Sequence, residues 1–508
     1  MKSVAFPSLQ QAGLTLILGL GETGLSAARW CLRHGVALRL ADTREGLAGA
    51  ETLRAESSDK GLDIRLGEAA LASATLDGVS RIVISPGLSP REAPLAAFLE
   101  QARGRGIDII GEIELFALAL ADLAEHGYQP TVLAVTGTNG KTTVTAMTRR
   151  LVEAAGHSAV AAGNISPPAL TALMEAIDGD RLPDVWVLEL SSFQLESTHS
   201  LATDAAVVLN LSQDHLDWHG SMQAYADAKS RLFRNTAIAV VNRDDPLVMK
   251  MIGEPGAVGV RSFGRGRPEY EGDLGLEDSH GIEWLVAVPL SEPEPGAGSG
   301  RRKAKVVEGR KMGSPQRLMP AEALRLRGRH NALNALAALA LAQTVSGGLA
   351  PMLHALREYA GEAHRCEFVR SIAGVDFVND SKGTNVGATV AALEGMGRPV
   401  VLIAGGLGKG QDFAPLTEAI RRHASAVVLI GRDAPLIQKA LGHAGIPLAH
   451  ADSMEAAVRA AMAEAVEGGV VLLSPACASM DMFPNYVERG RCFAAIVNEL
   501  ALDRGEVA

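Results

Sequence analysis

Residues 137 to 143 read Gly-Thr-Asn-Gly-Lys-Thr-Thr and follow the apolar run Val132-Leu133-Ala134-Val135. Gly137 and Gly140 allow the backbone N–H groups of a tight loop to turn toward phosphate oxygens. Lys141 can reach the terminal phosphates, and the Thr142 hydroxyl can ligate Mg²⁺ at a helix N-terminus. The stretch departs from the strict phosphate-loop consensus, because Val135 stands where that pattern has its first glycine. With Lys-Thr-Thr behind the second glycine it reads as a nucleotide site rather than a plain strand-turn-helix connection. Glu189 closes the apolar stretch Val185-Trp186-Val187-Leu188, and an acid at a strand's carboxyl end beside a phosphate loop is a natural second Mg²⁺ ligand. The cluster Asn210-Leu211-Ser212-Gln213-Asp214-His215-Leu216-Asp217 follows the next strand. His215, with carboxylates on both sides, reads there as a site residue rather than a surface histidine.

A second glycine loop, Gly19-Leu20-Gly21-Glu22-Thr23-Gly24, follows the run Leu14–Leu18 and has Asp42 about one strand further on. By spacing alone this is a dinucleotide fingerprint. The same geometry suits any diphosphate on a helix N-terminus, so the loop does not name the base. Glu22 must then turn away from that diphosphate, and no hydride-acceptor feature supports redox chemistry.

The elements that must position these residues are short apolar runs alternating with alanine-rich helical stretches, the pattern of strand-helix-strand units and parallel sheets. The fold class is α/β. Strands are expected at Leu14–Leu18, Arg81–Ile84, Val185–Leu190, Ala205–Leu211, Val375–Asn379, Val400–Ala404, Ala426–Ile430 and Val470–Leu473. The length of 508 residues fits three domains, here 1–112, 113–360 and 361–508. Residues 291–320, rich in Pro, Gly and basic side chains, read as a solvated insertion between two strands. A net charge of −10 argues against a nucleic-acid partner. Cys31, Cys366, Cys477 and Cys492 form no C-x-x-C pair, which fits reduced thiols. No stretch reaches the roughly 20 apolar residues of a membrane helix, so the expectation is a cytoplasmic enzyme without membrane insertion.

TGTNGKTT, GNISPPAL, LELSSFQLE, LNLSQDHLD, RHNALNALAALALA, HRCE, NDSKGTN and SPACASMDMF, in that order, make the chain resemble the Mur ligases over nearly its whole length, and most closely the branch that adds D-glutamate. The resemblance implies a Rossmann-like first domain, a central P-loop-type ATPase domain and a Rossmann-like third domain. It also implies ATP-dependent ligation of D-glutamate to UDP-N-acetylmuramoyl-L-alanine through an acyl phosphate, in peptidoglycan precursor synthesis, by a monomer. The first glycine loop would thus hold a UDP-sugar and the second ATP.

Residue by residue, the resemblance implies UDP-substrate contacts from Glu22, Thr23, Asp42, Thr43, Arg44, Ser85, Pro86, Gly87 and Asn164. ATP would lie on Gly137, Thr138, Asn139, Gly140, Lys141, Thr142 and Thr143, with Asn331, Asn334, Arg365 and Asp380 around adenine, ribose and phosphate. Lys141, Glu189, His215 and Lys229 would serve catalysis, and Mg²⁺ would sit at Thr142, Glu189 and a carbamylated Lys229. Without the resemblance, Lys229 reads as an exposed helix lysine. Lys382, Thr384, Lys409, Ser479, Met480 and Tyr486 would form the D-glutamate pocket. Tyr486 is a departure, since the family often has an apolar aromatic there, and the 291–320 insertion is longer than usual. Closure of the third domain over the site is expected, to exclude water.

Overall fold

The computed structural model describes residues 4–10, 13–56, 62–290, 309–326, 328–408, 410–442 and 445–506. Most of its twenty described strands, labelled β1 to β20 along the chain and grouped in four sheets, follow from short apolar runs of the kind that pair in parallel when buried on both faces. The first sheet holds β1 (Leu14–Leu18), β2 (Leu38–Asp42), β3 (Asp63–Leu66), β4 (Val79–Ile84) and β5 (Asp108–Ile110), all parallel in the order β3-β2-β1-β4-β5. The second holds β6 (Thr131–Thr136), β7 (Ala159–Gly163), β8 (Val185–Glu189), β9 (Thr203–Val208), β10 (Thr236–Asn242) and β11 (Val260–Phe263), parallel in the order β11-β10-β9-β6-β8-β7. The expected strand at 205–211 starts and stops earlier, because residues 209–211 turn away to meet the phosphate loop.

A small antiparallel sheet follows, β12 (Leu274–Ser279), β13 (Ile282–Ala287) and β14 (Gln316–Pro320). The strand β14 corrects the sequence reading: the last five residues of the expected insertion are not solvated loop but pair with β13. Gln-Arg-Leu-Met-Pro carries too little apolar periodicity to announce a strand, and its pairing with β13 makes it one. Residues 291–308 lie outside the described residues. The fourth sheet contains β15 (Glu367–Ile372), β16 (Val375–Asn379), β17 (Val400–Gly405), β18 (Ala424–Ile430), β19 (Leu448–His450) and β20 (Val470–Leu473), in the order β15-β16-β20-β17-β18-β19. Only β15 runs antiparallel to its neighbour.

The period of two along each strand divides the cores. Val400, Leu402 and Ala404 face one apolar cluster while Val401 and Ile403 face another on the opposite side. The first and second sheets share a core: Ile17, Leu40 and Val83 join Val132, Ala134, Trp186 and Leu188 through helices Glu22–Arg33, Glu112–Ala124 and Ala169–Asp178. The two clusters of the fourth sheet contain no residue before Cys366. Thus the first two sheets are welded by apolar packing, and the fourth is built around an apolar interior of its own. No helix among the described residues is long and apolar enough to cross a membrane.

Candidate functional site

The turn after β6 carries Gly137 at φ 151° and Gly140 at φ 84°, left-handed conformations open to glycine and strained for other residues. Gly140 caps helix Lys141–Ala154, so the free N–H groups of the first helical turn face the loop. Neighbouring strands latch the loop in place. Thr138 N donates to the Asn210 carbonyl at 2.9 Å, Asn139 N donates to Asn210 Oδ1 at 2.8 Å and Asn210 Nδ2 returns a bond to the Asn139 carbonyl at 3.1 Å. The Thr138 hydroxyl meets Tyr225 Oη at 3.1 Å. Lys141 folds back over its own turn, Nζ donating to the carbonyls of Gly137 and Thr138 at 2.9 Å each. Burial lowers its pKa and Arg365 adds to the effect, against the opposing pull of Glu189 and Asp214.

Thr142 lies one residue further on, and its hydroxyl donates to Glu189 Oε2 at 2.6 Å. The other Glu189 oxygen accepts from Asn164 Nδ2 at 2.8 Å. Glu189 is 2% exposed at the end of β8, and the Arg365 guanidinium reaches across from the third domain to the Thr142 hydroxyl. The Thr142 hydroxyl at the helix N-terminus and the Glu189 carboxylate at the end of β8 could supply part of an oxygen shell. A hard divalent ion that keeps several waters and takes the rest of its ligands from phosphate fits such a site.

Lys229 overturns the plain reading of its helix. It lies in the last turn of Met222–Ser230 with only 1% exposure, its Nζ donating to the Gly137 carbonyl at 2.9 Å and Thr136 Oγ1 at 3.2 Å and lying 4.8 Å from the Tyr225 ring centroid. Burial, and then the nearby Lys141 charge, push its pKa well below the ordinary lysine value. His215 sits at φ 54° as the cap of helix Leu216–His219, with Nε2 3.6 Å from Asp214 Oδ2 and its ring edge-on to Phe193 at 4.7 Å.

From the third domain, Asp380 follows β16 and accepts from Ser474 Oγ at 2.7 Å and Cys366 N at 3.2 Å. Burial pushes its carboxyl up to about 6. Lys382 Nζ lies 4.0 Å over the Tyr486 ring, a cation–π contact that an apolar aromatic at this position would also have made. Thr142, Glu189, Asn164, His215, Asn331, Asn334, Arg365, Asp380, Lys382, Thr384, Ser479, Met480 and Tyr486 line one cleft of about 1100 Å³ together with Thr138 to Thr143. Lys409 lies outside the described residues.

None of the described first-domain residues lines this cleft, and Glu22 meets it only through Ser166 on its wall. Gly24 packs so close that a Cβ there would stand 1.8 Å from the Gly19 carbonyl oxygen, whereas a Cβ on Gly21 would meet nothing within 4 Å. This is the division of labour of a diphosphate turn: one glycine for helix-strand contact, another leaving room for the ligand. Asp42 is buried, accepting from Leu20 N at 2.7 Å and from the Arg44 fork at 2.8 and 2.9 Å, so its carboxylate braces the loop. Ser85 Oγ donates to the Gly19 carbonyl at 2.7 Å, and Glu22 accepts from Ser166 at 2.8 Å, away from the turn. Ser85 and Pro86 border a second cavity of about 300 Å³ with Phe193 and Trp218. Thr23, Thr43 and Gly87 make no contact with the main cleft.

Three residues in or behind the site were given no role by the sequence reading. Asn385 donates to Asn139 Oδ1 at 3.1 Å and Asp214 Oδ2 at 3.3 Å, joining the third domain to the phosphate loop; its place directly after NDSKGT was the available signal. His219 is wholly buried, with Nε2 2.9 Å from Ser192 Oγ, and burial followed by the Lys229 charge pushes its pKa down to about 4. Arg489 is the third, and nothing in the helix Tyr486–Asp503 marks it.

Comparison with known proteins matches residues 14–111 to the Mur ligase MurD-like N-terminal domain, 135–342 to the Mur ligase middle domain and 364–477 to the Mur ligase glutamate ligase domain. The chain belongs to the Mur ligase family. This Mur ligase is 60% identical over 503 residues to the UDP-N-acetylmuramoylalanine--D-glutamate ligase of Bordetella avium (strain 197N), covering 98% of this chain and 99% of that protein. It is 54% identical over 501 residues to the enzyme of that name from Burkholderia multivorans, with 98% and 99% covered. Among solved structures, the UDP-N-acetylmuramate-alanine ligase MurC of Thermotoga maritima superposes with a TM-score of 0.54 at 18% identity, covering 96% of this chain and 100% of that one. MurF of Acinetobacter baumannii does so at 0.55 and 18%, covering 80% and 88%. At that identity the likeness establishes the three-domain α/β fold.

Proposed function

We propose that this Mur ligase joins D-glutamate to UDP-N-acetylmuramoyl-L-alanine at the expense of ATP, forming an acyl phosphate and then an amide bond. The observation that carries the reading is the 60% identity with D-glutamate ligases across 98% of the chain, a span that includes the phosphate loop and the third-domain turns. The γ-phosphoryl passes to the free carboxylate of the UDP-substrate, and the amine of D-glutamate attacks the acyl carbon with loss of phosphate. Two anions meet in the first step, so positioning and charge neutralisation must supply most of the rate. Lys141 would leave the carbonyls of its loop for the terminal phosphates, and Arg365 would bring a second cation from the third domain. His215, beside Asp214, supports the reacting carboxylate.

Thr142, Glu189 and a carbamylated Lys229 would hold Mg²⁺, which supplies charge neutralisation on the phosphates. A buried amine with a depressed pKa is neutral for a larger fraction of the time, and only a neutral amine adds CO₂. The Gly19–Gly24 turn, with Asp42 and Ser85 as its braces, would bind the UDP diphosphate, and Thr23, Thr43, Arg44, Pro86 and Gly87 the rest of that group. Lys382, Thr384, Lys409, Ser479, Met480 and Tyr486 would receive D-glutamate.

Phosphate release with ATP, Mg²⁺ and UDP-N-acetylmuramoyl-L-alanine across a panel of D- and L-amino acids tests the assignment. D-Glutamate should stand out. A response of equal size to L-lysine or diaminopimelate would overturn it.

A further inference from the structure

Arg489 is among the largest fully buried side chains of the protein, at 1% exposure in the first turn of helix Tyr486–Asp503. Its fork is held entirely by neutral acceptors: Nε donates to Ser381 Oγ at 3.0 Å, Nη2 to the Ser381 carbonyl at 2.8 Å and Nη1 to the Cys477 carbonyl at 3.1 Å. Ser381 closes the knot by donating its hydroxyl to the Tyr486 carbonyl at 2.8 Å. Among the described residues Arg489 has no ion pair. The carboxylates whose charge reaches it are Asp481 and Asp380. Asp481 accepts from Arg432 N at 2.8 Å, and Asp380 is engaged by Ser474 and Cys366. Burial pushes the guanidinium down only to about 10, so it remains charged at neutral pH.

A buried charge without a counter-charge is costly, and two carbonyls and a hydroxyl could have been joined by a neutral amide. The residues it grips are telling: Ser381 immediately precedes Lys382, and Cys477 lies two residues before Ser479. Both turns belong to the wall of the main cleft assigned above to the incoming amino acid.

We infer that Arg489 is a positioning residue that also acts through its charge. It fixes the two turns that receive the amino acid, and its unmatched positive charge beneath them favours a substrate bearing two carboxylates over one whose side chain is neutral. This rests on the D-glutamate reading. The bonds set the geometry of Lys382 and Ser479, while the charge acts through the turns without touching the ligand. Its effect should therefore fall on the acidic side chain of the substrate rather than on the nucleotide.

Kinetics of Arg489→Gln and Arg489→Lys with D-glutamate and its neutral isostere D-glutamine separate charge from shape. In Arg489→Gln the KM for D-glutamate should rise about tenfold while that for ATP stays within about twofold, and the D-glutamate to D-glutamine ratio of kcat/KM should fall in step. Arg489→Lys, which keeps the charge and gives up the fork, should recover most of that ratio. A ratio unchanged in Arg489→Gln, or KM values for all three substrates rising together, overturns the inference. If Arg489→Gln fails to fold by circular dichroism, Arg489→Lys decides alone: a ratio within about threefold of the parent supports the charge, and a lost ratio refutes it. Failure of both variants to fold makes Arg489 purely structural and also refutes it. A parent enzyme that does not single out D-glutamate overturns the functional reading itself, whereas a selective parent with an unaltered variant ratio overturns this inference only.

Discussion

Lys229 and Lys141 are two amines buried against the same glycine turn, and each is held by the Gly137 carbonyl. Their mutual repulsion is one of the forces that lower the Lys229 pKa. Conversion of Lys229 to a carbamate would reverse its charge and turn repulsion into attraction. Accordingly, Lys229→Ala should lose most ligase activity, and added acetate should restore part of it by returning an oxygen ligand to the cavity. Full activity without acetate would leave the amine no role, and loss without rescue would leave carbamylation unsupported. Lys141→Ala should abolish ligation while UDP-substrate affinity, measured by calorimetry, stays within about threefold, since the two glycine turns are separate. His219 makes a prediction about acidity. Its pKa is pushed down to about 4 from an ordinary value of 6.5, so the unfolded chain binds the proton more readily than the folded one. Stability from this group is complete above about pH 6.5 and drains away as pH falls toward 4. The thermal melting of His219→Phe should therefore decline less steeply than that of the parent over that window; parallel declines would rule the group out as a source of acid lability.

Among elements, the long apolar strands were legible, whereas β14, which is a strand only through its pairing with β13, and the buried charge-bearing helix positions were not. Val400–Gly405 and Val470–Leu473 announce themselves as unbroken apolar runs because both faces of a parallel sheet are covered. The turns that follow β6, β8 and β9 were legible through their glycines, acids and amides. Lys229 was hidden because a lone lysine at the end of the short, weakly apolar helix Met222–Ser230 reads as solvent-facing, and its burial is decided by the distant Thr136 and Gly137. Arg489 was hidden for the same reason, its acceptors lying 12 and 108 residues away in sequence. Asp42 was found by spacing, yet its carboxylate braces Leu20 and Arg44, which spacing could not tell. The close packing of Gly24 yields a test at this scale. Gly24→Ala drives a methyl group into the Gly19 carbonyl, so helix Glu22–Arg33 must move off its strand at a cost of about 1–3 kcal/mol. UDP-substrate binding should be lost and nucleotide binding kept; retention of both would show that the turn has slack.

At the scale of the whole molecule the decisive contrast is between one joint and the other. The first two domains share an apolar core, but the apolar clusters of the third are its own. Polar bonds from Arg365 and Asn385 tie it to the phosphate loop. Shared cores move as one body, while polar seams open and close at modest cost. Asn385→Ala removes the two seam hydrogen bonds, worth roughly 1 kcal/mol each, together with the bond that Asn385 Oδ1 accepts from Ala388 N at 2.9 Å as cap of helix Val386–Met396; loss of the seam pair should shift the open population upward about tenfold or more. Small-angle scattering should report a larger radius of gyration and kcat should fall, with nucleotide affinity at the middle domain little changed. An unaltered scattering profile together with unaltered kcat would show that the seam is held elsewhere.

The small antiparallel sheet sets Ala287 beside Gln316 in register, so the stretch of chain between them leaves and returns at neighbouring points far along the sequence. Closing a loop grows dearer only with the logarithm of its length, about 0.6 kcal/mol for each doubling. The sheet therefore acts as a clasp, reinforced on the returning side by Arg310, which pairs with Asp273 at 2.6 Å, and by Gly313 N, which donates to the Glu269 carbonyl at 2.9 Å. A fluorescent domain spliced in after Leu290 and before Gly309, clear of the bonded stretch around Arg310, should leave folding and ligation nearly untouched, and the strand pair thus offers a fixed mast on the middle domain from which the travel of the third could be watched in real time.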